Sequence, residues 1–132
     1  MPIFSNIRTK IFVFYWLPVI LYCLLIFIQS SYPATDSLPT FPHADKLVHA
    51  GGYALLGFLF YRAYGKTGLR RQTFRLLIVS GLSAMLYGIS DEIHQSFIPS
   101  RTADIIDMIA DAAGGFLGAA AAWMVWRRGG VF

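Results

Sequence analysis

The stretch SDEIHQSFIPSRTADIIDMIAD, residues 90–111, carries five of the seven carboxylates of the chain: Asp91, Glu92, Asp104, Asp107 and Asp111. Apolar runs flank it on both sides. SFIPSR, with Pro99 at its centre, reads as a short connector, because proline cannot continue a regular helix. The stretch is therefore the end of one apolar helix, a turn, and the first half of the next. Two antiparallel apolar helices with acids at their shared end set the plan for the remaining chain.

Apolar runs of about 17 to 25 residues match the hydrocarbon thickness of a bilayer. Four are found, at 11–28, 47–64, 73–94 and 103–126. Pro18 lies inside the first and predicts a kink there. SSYPATDSLPTFPH (30–43) is a Pro- and Ser-rich loop, and YGKTGLRRQ (64–72) a short connector. No internal repeat interrupts the pattern. The first run is long, rich in bulky aromatics and lacks a small-x-small cleavage site, so it reads as a retained span.

Composition agrees. Of the 132 residues, 56% are hydrophobic and 14% charged, against roughly 25% charged in soluble domains. The expected fold is all-α, one domain over residues 1–132, an integral membrane bundle of four transmembrane helices. The net charge of +4 does not indicate nucleic acid, because the bases sit in short clusters beside apolar runs. Cys23 is the single cysteine, which excludes an internal disulfide and a cysteine zinc cluster.

Basic residues orient the spans. Nine of the eleven fall on one side: Arg8, Lys10, Arg62, Lys66, Arg70, Arg71, Arg75, Arg127 and Arg128. That side is expected to be cytoplasmic, with both termini. Only Lys46 and Arg101 fall on the other, together with all seven acids and His43, His49 and His94. Acids contribute little to topology, so their gathering needs a further reason.

Helical spacing sorts them into stripes. Asp45, His49 and Tyr53 share a face of the second span. Asp91, His94 and Gln95 share one on the third, and Asp104, Asp107 and Asp111 one on the fourth. At 1.5 Å per residue, Asp111 lies roughly 12 Å below the helix start. A carboxylate so deep costs about 2.5 to 3.5 kcal/mol, so Asp107 and Asp111 are expected to face partner helices, water or a cation. The glycines pack helices: Gly114, Gly118 and Ala122 form a small-x3-small ladder that lets backbones approach.

DKLVHAGGYALLG (45–57), YGISDEIHQSFIPSR (87–101), the D-x3-D of 107–111 and the AAGG after it resemble the VanZ-like family. The resemblance runs from about Gln29 to Gly118. It rests on D-K-x2-H-x3-Y and S-D-E-x-H-Q-x5-R, which match at Asp45, Lys46, His49, Tyr53, Asp91, Glu92, His94, Gln95, Arg101 and Asp107. It implies a small multi-pass protein of the bacterial cytoplasmic (inner) membrane, in a family named for a teicoplanin-resistance accessory protein and without an established reaction. Asp111 stands where the family pattern has asparagine, which adds a carboxylate.

Three readings of the acidic end follow. As a binding or acid–base site, Asp91, Glu92 and His94, with His49 opposite, are the catalytic candidates. Lys46 and Arg101 would hold an anionic lipid or lipid-linked cell-wall precursor, with Tyr53, Gln95 and Asp45 beside them. As a cation site, a divalent metal would draw on Asp107 and Asp111, with His49, Asp91, Glu92 and His94 as further ligands. H-E-x2-H, a serine elbow and a phosphate loop are all absent. As a clamp, the same groups would tie helices together, although seven acids against two bases exceed what a clamp needs. Asp36 reads as a loop residue and His43 as a solvated one. A small ion- or proton-coupled transporter and a non-catalytic interaction protein are the alternative functions.

Overall fold

The computed structural model describes residues 6–33 and 41–129; Asp36 lies outside them. Among the described residues the chain is all helical, with four long helices and no strand. We label them α1 (Ile7–Ser30), α2 (Ala44–Tyr64), α3 (Thr73–Gln95) and α4 (Ile105–Gly129). A short 3-10 turn, Gly68–Arg71, links α2 to α3.

The first helix extends beyond the expected 11–28. Asn6 opens it, accepting from the backbone N–H of Arg8 at 3.0 Å. Its turn Phe12–Trp16 is π-helical, with the N–H of Leu17 bonded to the carbonyl of Phe12. Pro18 follows directly. A proline has no N–H to give the turn before it, and the widened turn is where the helix absorbs that deficit. The second helix also starts before its apolar run, at Ala44, so Asp45 and Lys46 are carried on its first turn. His43, just before it, is left-handed (φ 63°) and exposed.

Helices α1, α3 and α4 are long and apolar enough to cross a membrane. The second falls short because tyrosines, glycines, His49 and Arg62 dilute its apolar run. It is also the helix that packs most closely, chiefly on α4 and then on α3. A Cβ placed on Gly118 would lie 1.7 Å from the carbonyl oxygen of Ala54, and one on Gly114 2.2 Å from that of Ala50. The ladder expected from sequence is thus a backbone-to-backbone seam. On the same helix, Ile105 and Ile109 point outward, 73% and 62% exposed, while Asp111 is fully buried. Apolar side out and acid side in suits lipid surroundings.

The first helix is peripheral and far less buried than α4. Tyr22 OH donates to the carbonyl of Gly52 at 3.0 Å, and Tyr87 OH to that of Cys23. These two hydroxyls tie α1 to α2 and α3. Towards the other end the core is apolar, around Leu56, Ala84, Leu76, Ala119 and Ala122. There Arg62 and Lys66 both sit 4.8 Å over the ring of Tyr15.

Candidate functional site

The site begins at the start of α4. RTAD precedes the apolar run, and Asp104 caps the helix: its Oδ1 accepts from the N–H of Ile106 at 2.8 Å. The N–H of Asp104 itself donates to Glu92 Oε2 at 3.0 Å. One buried glutamate of α3 thereby fixes where α4 starts, and with it the depth of Asp107 and Asp111.

The ammonium of Lys46 occupies the next layer. It lies 2.9 Å from Asp45 Oδ2, 2.7 Å from Asp104 Oδ2 and 2.6 Å from Asp107 Oδ1. Three carboxylates take its three donors. Asp104 precedes Ile105–Arg128, the part of the chain long and apolar enough to cross a membrane. The hydrogen bond from Lys46 holds its carboxyl below the usual aspartate range, and the bond from Ile106 N–H adds to that.

One turn deeper, His49 Nδ1 lies 3.0 Å from Asp111 Oδ1, and its Nε2 lies 3.9 Å from Asp107 Oδ2. Glu92 and Asp111 have no solvent exposure. Glu92 Oε1, Asp111 Oδ2 and the hydroxyl of Tyr53 are buried with no hydrogen-bond partner among the described residues. Gly88 makes room for them. A Cβ there would be 2.8 Å from Asp111 Cβ and 3.2 Å from the Tyr53 ring.

A cavity of about 340 Å³ opens beside this layer, between α1 and the helices α2 and α3. Its lining includes the polar His49, Tyr53, Asp91 and Arg101 and the apolar Ile26 and Val48. The guanidinium is oriented: Nε donates to the carbonyl of Tyr32 at 2.8 Å and an Nη to Gln95 Oε1 at 3.1 Å. Gln95 Nε2 in turn donates to Asp91 Oδ2 at 2.9 Å.

The sequence candidates thus divide. Asp45, Lys46, His49, Glu92, Asp107 and Asp111 come together between α2, α3 and α4. Asp91, Gln95, Tyr53 and Arg101 meet at the cavity, and His49 borders both groups. Asp91 and Glu92 part company because successive helical residues point about 100° apart. His94 joins neither group. Its Nε2 lies 2.9 Å from Ser31 Oγ, and its ring stacks 4.5 Å from Phe27. Lys46 is turned to the carboxylates and does not line the cavity. Tyr22 and Gly88 are additions that spacing did not single out. Asp104 does have a sequence signal, an aspartate just before an apolar run. Of the metal candidates, Asp107 is engaged by Lys46. The donors that gather within 4.8 Å of one another are those of His49, Glu92 and Asp111.

Chemically, a histidine whose Nδ1 is held by a carboxylate can keep Nε2 free for proton exchange. A fork of guanidinium donors beside it can hold an oxyanion. No curated protein and no solved structure matches the chain. A family model does, the one described as VanZ/LLP1, over residues 12–127, from the π-helical turn of α1 to the end of α4. The motif residues around Lys46 and His49 and at the cavity lie inside that match, and the chain belongs to the VanZ-like family.

Proposed function

We propose that this VanZ-like protein crosses the bacterial cytoplasmic membrane four times, with both termini inside. In this reading its cavity faces outward and binds the anionic headgroup of an envelope lipid or lipid-linked precursor. The observation that carries the reading is that Arg101 lines one cavity together with His49 and Asp91. Two of the five guanidinium donors are spent on Tyr32 and Gln95, which orients the others for a headgroup oxyanion. Ile26 and Val48 suit the apolar part of the same molecule. A lipid-linked cell-wall precursor is the ligand of this class that fits the teicoplanin association implied by the family name.

His49, backed by Asp111, is the group placed to move a proton to or from a bound headgroup. The ring of carboxylates on Lys46 has a different role and clamps the start of α4 to α2. A transport reading is not favoured, because the far half of the bundle closes on Leu56, Ala84, Leu76 and Ala119.

Native mass spectrometry of protein taken from vesicles of phosphatidylglycerol and phosphatidylcholine tests the reading. Wild type should retain phosphatidylglycerol, and Arg101→Ala and Asp91→Ala should lose the preference. Equal retention of both lipids by wild type would sink it.

A further inference from the structure

The carboxylates of Glu92 and Asp111 pose a charge problem that the headgroup reading does not solve. Both side chains are fully buried, and each has an oxygen without a partner among the described residues. Lys46 does not compensate them, because its donors go to Asp45, Asp104 and Asp107. Glu92 receives one backbone N–H and Asp111 one imidazole contact. Buried carboxylates that keep their charge are ordinarily paired or bound to metal. An anionic headgroup brought to the neighbouring cavity would add to the unbalanced negative charge.

We propose that His49, Glu92 and Asp111 form a binding site for a divalent transition-metal cation, of the kind that zinc and manganese represent. One donor atom from each residue lies within 4.8 Å of the others. Donors on one ion at roughly 2.1 Å lie at most about 4.2 Å apart, so small side-chain rotations close the set. One imidazole and two carboxylates suit zinc or manganese better than copper(I), which prefers sulfur. The three ligands come from three helices, so the ion would also lock α2, α3 and α4 in register. Glu92 Oε2 keeps its bond to the N–H of Asp104, which orients the carboxylate as outer contacts to metal ligands commonly do. Three protein ligands leave a coordination position open, and His49 borders the cavity. That this position meets the headgroup rests on the proposed function; ion binding itself does not.

The test uses full-length protein in detergent, stripped with EDTA, dialysed and titrated calorimetrically with zinc chloride and with manganese chloride. Wild type should take up a single ion per chain and gain thermal stability with it. Glu92→Gln and His49→Asn should each weaken uptake by more than about tenfold, since even outer contacts commonly cost that much. His43→Asn, at the exposed left-handed residue before α2, should bind as wild type does and so accounts for adventitious histidine binding. Absence of saturable uptake by wild type, or wild-type affinity in Glu92→Gln, would overturn the site. The wild-type titration decides the matter even where a variant does not fold. Phosphatidylglycerol retention is measured in parallel with EDTA present. Retention without metal uptake removes the metal site and leaves the headgroup reading; metal uptake without lipid preference does the reverse.

Discussion

His49 Nδ1 and Asp111 Oδ1 face each other at 3.0 Å across the seam between α2 and α4, at a depth where Asp111 has no solvent exposure. Removing one partner of such a pair strands the other. His49→Ala should therefore cost about 3 kcal/mol of bundle stability. In an Asp111→Asn background, where the stranded group is neutral, it should cost at least about 1 kcal/mol less. Unfolding of the four proteins in mixed micelles measures the coupling, and strict additivity would contradict the pairing.

Gly88→Ala should disturb this layer directly. The added methyl meets Asp111 Oδ2 at 3.0 Å and Tyr53 Cε1 at 3.2 Å. Overpacking of this kind costs about 1 to 3 kcal/mol. Gly51→Ala meets nothing within 4 Å, so it should not destabilise, and its helix propensity should add up to about 1 kcal/mol. Thermal unfolding of the two variants compares them.

Gly118→Ala should be worse than Gly88→Ala. Its methyl would collide with a main-chain carbonyl of α2, and side-chain rotation cannot relieve that. The expected result is a loss of folded yield, read by size-exclusion chromatography, with Gly88→Ala still recoverable.

The pair of Asp104 with Lys46 sets an acid limit. A carboxyl whose folded pKa is lowered contributes its stability in full above its unfolded value, about 3.9 for aspartate. That contribution is lost as pH falls through the lower folded value. The Lys46 ammonium, also faced by Asp45 and Asp107, supplies the lowering. Stability should thus show no loss from this pair between pH 7 and about 5, then fall below about 4. Asp104→Asn, which keeps the cap to Ile106, should flatten the acid limb in a pH series of thermal midpoints.

Topology has its own check. A cysteine at Ser100 should react with an impermeant maleimide from outside the cell, and one at Gly68 only after permeabilisation. The reverse pattern would overturn the orientation drawn from the arginines and lysines.

Much of this arrangement is legible in the sequence. Three-and-four spacing puts Asp107 and Asp111 on one stripe and the isoleucines on the other, and the burial follows that split. The x3 ladder at Gly114 and Gly118 marks the seam with α2. The partners are not legible, because they depend on how far each helix is rotated about its axis. Spacing groups Asp91, His94 and Gln95, yet Asp91 and Gln95 meet at the cavity while His94 turns to Ser31. Lys46 could have served an external anion, but three carboxylates converge on it once α4 is set in depth. The apolar run of α2 begins only at Leu47, yet the spacing of Asp45 with His49 and Tyr53 already carries the helix back over its polar first turn.

The glycine seam has a mechanical corollary. Where carbonyls of α2 rest against bare Cα atoms of α4, neither helix can turn or part without breaking the fit. Helix α2, braced from behind by α4, is thus the stiff wall of the cavity. The more lightly seated wall is α1, held by the hydroxyls of Tyr22 and Tyr87, by His94 on Phe27 and Ser31, and by the cations over Tyr15. The headgroup reading therefore expects any widening of the cavity to come from α1, with α2 staying in place on α4.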